Sequence, residues 1–421
     1  MSKTENKKTI KKNISVKQKS SGIFYVGLFA VLILTFFVFN RSITKIFIGL
    51  DDPVYISDNP FTTLFYAIEF KFFGRDASLY HIVSLLLHLL NIVLVYKLIE
   101  KLNQKKWFAI IGAMIFAIHP MHIESVVWIS EQKEVLYSFF YLAGLITYIK
   151  YLQERKIKYL FITHFLFLFS LFSKSAAVTF PLILVLCDFY FKRKWNKQSI
   201  LEKISFLLLS LLFGILSILS QNTAGAINDV TMISFSAIQR IFIVCYAISY
   251  YIFKFIFPID LCVLHYAPKI IPPYFYLCPL FLLLITWFVW RSKTRKRVLI
   301  FGWLFYILSV ILVLQIIPVG YVLVSERYSY LSYIGLIFMS GNIFIQFYES
   351  NISATNFILR YRKYLLFIFI FIYSYLSFDY IKKWQSNIIL FTDIVKKIRN
   401  PDMPLIHTLK FKFLMVIRLR H

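Results

Sequence analysis

The sequence predicts an all-α integral membrane protein, a bundle of about eleven transmembrane helices with its N-terminus cytoplasmic and its C-terminus outside. Three observations carry that prediction. Hydrophobic residues make up 59% of the 421 positions and charged residues 16%, where an ordinary soluble domain has about a quarter charged. The apolar residues come in long unbroken runs rather than at the spacing of an amphipathic soluble helix. Between the runs, lysines and arginines gather in short clusters, as the positive-inside rule requires of cytoplasmic loops.

Residues 1–21 form a basic cytoplasmic leader with Lys7, Lys8, Lys11 and Lys12. No small-residue cleavage site follows it, so it leads into an uncleaved first span. The spans run over 22–39, 79–99, 107–119, 135–152, 158–173, 175–191, 204–220, 274–290, 298–317, 330–347 and 364–378. With Met1 inside, the loops holding Lys97–Lys106, Lys150–Lys158, Lys192–Lys203, Arg291–Arg297 and Arg360–Lys363 are also inside, and all are basic. The stretch 236–257 is apolar enough to span, but it carries Arg240 and Lys254. Counting it as a crossing would put Arg291–Arg297 outside, so it is read as a re-entrant or interfacial element. The membrane domain is thus 22–378, with outer loops 40–78, 119–134, 221–273 and 318–329, and 379–421 is an outer tail.

The formal net charge of +27 suits an anionic partner. Because the cations lie in loops between spans, that partner is the membrane and not nucleic acid. Cys187, Cys245, Cys262 and Cys278 have neither disulfide nor metal spacing. Abundant Ile, Phe, Lys and Asn suggest an AT-rich genome, and so a bacterial cytoplasmic membrane, or the endoplasmic reticulum membrane in a eukaryote.

This topology sorts most of the acidic residues to the outer side. There, Asp51-Asp52-Pro53 and Asp58-Asn59-Pro60 precede Phe61–Phe73, whose apolar spacing predicts a short helix on the membrane surface. Adjacent carboxylates at Asp51 and Asp52 can bind a divalent cation or supply a general base, or simply build a turn before proline. In His119-Pro120-Met121-His122-Ile123-Glu124-Ser125 the imidazoles can hold a metal with Glu124 or donate to an anion. The plainer reading is a helix ended by proline, with polar groups meeting its freed carbonyls. Lys174, between Ser173 and Ser175, can snorkel to headgroups or hold a phosphate. Glu326-Arg327, in a tyrosine-rich boundary, is costlier to place near a membrane and points to function.

These stretches carry a resemblance. Tyr80-His81-Ile82-Val83-Ser84, Leu87-His88-Leu89-Leu90-Asn91, Phe116 to Val126, Ser173-Lys174-Ser175 to Pro181, and Ser325 to Leu331 resemble the transmembrane O-mannosyltransferase-like proteins with C-terminal tetratricopeptide repeats. Those proteins belong to the multi-span GT-C class. The match in order and spacing covers residues 45–400, while the stretch from Trp384 to Pro401 resembles a lead-in to repeats that do not follow.

The resemblance implies a GT-C-like bundle that moves a sugar, mannose by default, from a polyprenyl- or dolichyl-phosphate carrier. The acceptor is a hydroxyl on protein or glycan at the extracytoplasmic face, and the reaction inverts the anomeric centre. It implies Asp51 as base, with Asp52 supporting it or contacting a divalent cation. It also assigns His119, Lys174 and Arg327 to the departing lipid phosphate, with His122, Glu124 and Glu326 completing the substrate-binding set. Three alternatives stay open: a ligase or polymerase using lipid-linked polysaccharide, a transporter or flippase, and a shortened inactive relative. The first outer loop is also short, since Pro60 abuts Phe61 where relatives carry a longer insertion.

Overall fold

A computed structural model describes residues 22–44, 46–48, 64–223, 235–266, 268, 270–293, 295–314, 316, 322–349 and 355–397. Asp51 and Asp52, and with them the expected base and cation ligands, lie outside the described residues, as do 398–421 of the tail.

Helices dominate the described chain. They are α1 (Gly22–Ser42), α2 (Leu64–Phe73), α3 (Ala77–Asn103), α4 (Lys106–Ile118), α5 (Ile123–Val127), α6 (Gln132–Glu154), α7 (Ile157–Ser173), α8 (Phe180–Tyr190), α9 (Lys197–Thr223), α10 (Ala237–Ile256), α11 (Cys278–Arg291), α12 (Lys296–Val310), α13 (Ser329–Glu349), α14 (Thr355–Lys382) and α15 (Asn387–Lys397). A short antiparallel ladder joins β1 (His265–Tyr266) to β2 (Val322–Val324). Among the described residues, 9 helices are long and apolar enough to cross a membrane, or 10 if the bent pair at Pro120 counts as one span. The expected all-α membrane bundle is therefore what the chain forms.

Its surface is that of a protein made for lipid. Only 6% of the best apolar window in α9, and 17% of that in the Pro273–Arg291 helix, is buried against protein. Leu208, Leu211, Leu283 and Trp287 are exposed, an arrangement stable where the solvent is itself apolar. The interior helices approach closely at small residues, as membrane interfaces favour. A Cβ on Gly335 of α13 would lie 2.5 Å from the Gly302 carbonyl of α12.

Two expected elements differ in detail. The last span extends well beyond 364–378, running as α14 to Lys382 before α15 begins. The 236–257 stretch forms a helix of spanning length, capped by Ser236 in a capping box with Gln239. Phe242 packs on Tyr276 at 4.7 Å, Tyr246 stacks on Phe275 at 3.8 Å, and Phe253 stacks on Phe281 at 5.2 Å. These contacts set the middle and second half of α10 against the start of α11 and the turn before it. The link doubles back along α10, where the Tyr250 hydroxyl meets His265 Nε2 at 2.9 Å.

The two ends of the bundle differ in charge chemistry. At one end Glu100, Glu154, Asp188 and Glu202 sit among Lys106, Lys150, Arg193 and Lys203. At the other, α2, the α4–α6 connection, the α7–α8 turn and the start of α13 converge.

Candidate active site

The α4–α6 connection is built by a break. Pro120 has no N–H to continue α4, and α4 meets the following helical turns at a bend of 56°. His119 accepts the Met121 N–H on Nδ1 at 3.2 Å, capping the turn that follows. Its Nε2 then carries the proton and donates to the Phe255 carbonyl at 3.2 Å. His122 donates from Nδ1 to the Phe116 carbonyl at 2.8 Å, one of the carbonyls freed by the break. Both rings lie fully buried among Phe116, Phe255, Tyr330, Tyr333 and Tyr373.

The metal reading of His119, His122 and Glu124 is corrected by this geometry. The imidazoles face backbone carbonyls and each other, while Glu124 faces Arg327. Among the described residues no group of three or more His, Cys, Asp or Glu could hold a metal ion. Neither ring is exposed in this structure.

Glu124, Lys174 and Arg327, by contrast, come together from three distant stretches. Arg327 donates through Nη1 to Glu124 Oε1 at 2.6 Å, and its backbone N–H reaches Oε2 of the same carboxylate at 3.1 Å. The Ser325 hydroxyl adds a bond to Oε1 at 2.8 Å. Arg327 Nε lies 3.4 Å from Glu131, which also meets Lys133 and Lys174, each at 3.5 Å. Lys174 in turn pairs closely with Glu134. The result is a continuous network of three carboxylates and three cations, so the charges balance within it.

The network has a direction. The carboxylate side chains of Glu124, Glu131 and Glu134 are 0–4% exposed, whereas Arg327, Lys174 and Lys133 keep 14–17%. The cations are therefore the more exposed side of the network and the carboxylates back them. Arg327 is also held between aromatic rings, its Cζ 5.3 Å from Trp128 and 5.1 Å from Tyr328. Trp384, just beyond α14, closes the far side of Trp128 at 5.9 Å. Burial alone would lower the Lys174 ammonium, but Glu134 and Glu131 outweigh it and hold its pKa above the ordinary lysine value. It stays charged.

Glu326 is adjacent in sequence but turned away. Its Oε2 accepts from the Tyr380 hydroxyl at 2.8 Å, tying the turn before α13 to α14. It is fully buried and belongs to the packing beside the network.

Helix α2 packs against the α4–α6 connection. Tyr66 donates to the Ile129 carbonyl at 2.7 Å, and Glu69 accepts from Gln132 at 2.9 Å. Exposed Ile68 and Phe72 point away from the protein, as expected of a helix lying at the membrane surface. Burial raises the Glu69 carboxyl to about 8, with the Gln132 bond acting the other way. The sequence reading placed Glu131, Glu134 and Glu69 on the outer side without choosing them for the site. A usable signal existed: Glu131 and Glu134 open α6 only three residues apart, one turn beyond Glu124 and its short helix.

Comparison with known proteins agrees with this picture. The dolichyl-phosphate-mannose-protein mannosyltransferase family matches residues 53–221, which include the α4–α6 connection and Lys174. A Caenorhabditis elegans protein O-mannosyl-transferase is 25% identical over 213 residues, 49% of this chain and 30% of its own length. Protein O-mannosyl-transferase tmtc2 of Xenopus laevis is 32% identical over 24% of this chain and 12% of its own. Protein O-mannosyl-transferase TMTC1 of Homo sapiens is 26% identical over 34% of this chain and 18% of its own. The matches thus span less than a third of these relatives. The chain is O-mannosyltransferase-like, a multi-pass membrane protein with the helical architecture of the GT-C class.

Proposed function

We propose that this chain is a membrane glycosyltransferase that moves mannose from a polyprenyl- or dolichyl-phosphate carrier to a hydroxyl on a protein or glycan at the extracytoplasmic face. The supporting observation is the cation-fronted network of Glu124, Arg327, Glu131, Lys174 and Glu134. It sits beside the helix that follows the first loop, in a chain similar to protein O-mannosyl-transferases.

In this reading the acceptor hydroxyl attacks the anomeric carbon of the sugar. Asp51 takes the hydroxyl proton, and the bond to the lipid phosphate breaks with inversion, leaving the charge on that phosphate. Asp52 supports the base. Arg327 and Lys174 receive the departing phosphate, with Glu124, Glu131 and Glu134 fixing them before the substrate arrives. Preorganised cations in a water-poor site are worth far more than in bulk water and need no reorganisation as charge develops. The network's carboxylates are matched by its own cations, so no step is assigned to a metal ion held there. The carrier is membrane-bound, which suits a site that opens at a bundle end.

The test is transfer in proteoliposomes containing the purified chain, with labelled polyprenyl-phosphate mannose in one arm and GDP-mannose in the other. The proposal expects label on acceptor only from the lipid donor. Transfer from the nucleotide sugar alone would overturn it.

A further inference from the structure

The opposite end of the bundle carries a second site unrelated to transfer. A cavity of about 940 Å³ opens between α8, the turn after it, the end of α11 and the start of α12. Lys192, Lys293, Arg295, Lys296 and Arg297 line it together with Trp195 and Trp290, and among the described residues no carboxylate does. Its inner wall is apolar and reaches Leu304 and Leu308. From Lys296 to Leu308 along α12 is about 18 Å at helical rise. That length suits an acyl chain lying along the helix, whereas a free anion would use only the mouth.

The mouth is rigid. In the turn after α8, the Arg193 N–H bonds the Asp188 carbonyl at 2.9 Å, and its guanidinium lies 2.7 Å from Glu202. Arg193 is thereby drawn inward, and Lys192, in the left-handed region at φ 56°, is left on the cavity side. Across the opening, Arg295 donates to Asn342 Oδ1 at 3.2 Å, an oxygen that Asn103 also bonds at 2.9 Å. Lys296 lies 4.4 Å from the Trp290 ring, and Arg297 5.9 Å from Phe189. Trp195 and Trp290 are 58% and 67% exposed, as indoles at a membrane interface commonly are. Basic pockets between membrane helices on the cytoplasmic side suit anionic headgroups.

We infer that this cavity binds an anionic phospholipid, its phosphate among Lys192, Lys293, Lys296 and Arg297 and one acyl chain along Leu304 and Leu308. The inference does not depend on the chain being a glycosyltransferase, because lipid retention is measured without any transfer assay.

The experiment is native mass spectrometry of the full chain released from detergent after incubation with equal amounts of dioleoylphosphatidylglycerol and dioleoylphosphatidylcholine. The wild-type chain should retain the glycerol lipid preferentially. Each cation near an anionic lipid contributes about a fivefold factor, so Lys296→Gln with Arg297→Gln should lower that retention about thirtyfold. Lys156→Gln with Lys158→Gln, in the basic turn before α7, should change nothing. A second pair, Lys192→Gln with Lys293→Gln, repeats the test on the exposed side of the mouth. Equal retention of both lipids would overturn the inference. So would equal losses in control and cavity variants, or full displacement of the lipid by millimolar inorganic phosphate.

Discussion

Arg327 and Glu124 form the most enclosed ion pair of the site, with 2.6 Å between Nη1 and Oε1 and the carboxylate side chain 0% exposed. They lie 203 residues apart in the chain, so the pair locks the α4–α6 connection to the start of α13. Removing one partner of such a pair leaves the other charge buried and costs about 3–5 kcal/mol.

The first prediction follows from that contrast of environments. Arg327→Leu should lower the thermal midpoint of the detergent-solubilised protein strongly. Lys382→Ala breaks a pair whose partners are 44% and 51% exposed, and should leave the midpoint nearly unchanged. Similar shifts in the two variants would show that the network does not hold the site together.

Lys174 separates structure from chemistry. Lys174→Gln removes a cation from the more exposed side of the network while keeping a hydrogen-bonding side chain of similar length. If Lys174 receives the leaving phosphate, kcat/KM for the lipid donor should fall about 10²–10³-fold, and Lys174→Arg should recover part of the loss. Donor kinetics of the folded variants are the measurement. Unchanged kinetics in Lys174→Gln would remove it from the site.

Glu69 supplies a pH signature. Burial raises its carboxyl from 4.5 to about 8, so between those values the folded state holds a proton that the unfolded chain releases. Stability therefore falls as pH rises through that window. Glu69→Gln should flatten this part of the pH–stability profile and raise stability at pH 8 and above by a few kcal/mol. A profile identical to that of the parent would contradict the assignment.

The α12–α13 contact depends on the absence of a side chain. A Cβ on Gly335 would meet the Gly302 carbonyl at 2.5 Å and the Tyr306 nitrogen at 2.7 Å, both backbone atoms. Gly335→Ala must push the helices apart and should cost about 1–3 kcal/mol. Gly214→Ala has open space around it and should be tolerated. The thermal midpoints of the two variants distinguish these outcomes.

The membrane bundle was legible in the sequence because long apolar runs and basic loops follow directly from the bilayer's energetics. Glu124, Lys174 and Arg327 could be chosen as expensive charges at span ends, but their partners could not. Glu131 and Glu134 belong to the site through contacts with Lys174, which is 40 residues beyond Glu134, and no local pattern encodes that distance. His119 and His122 follow the plainer of the two readings their stretch allowed. Their spacing fits a metal site, but a proline break frees backbone groups that also need partners, and the imidazoles meet them.

The most direct test of the central claim is single-turnover transfer from polyprenyl-phosphate mannose by the wild-type chain and by Asp51→Asn in matched proteoliposomes. The account predicts label on the acceptor with the wild-type chain and loss of transfer with Asp51→Asn, while polyprenyl-phosphate binding persists through Arg327 and Lys174. Equal transfer by both would contradict it.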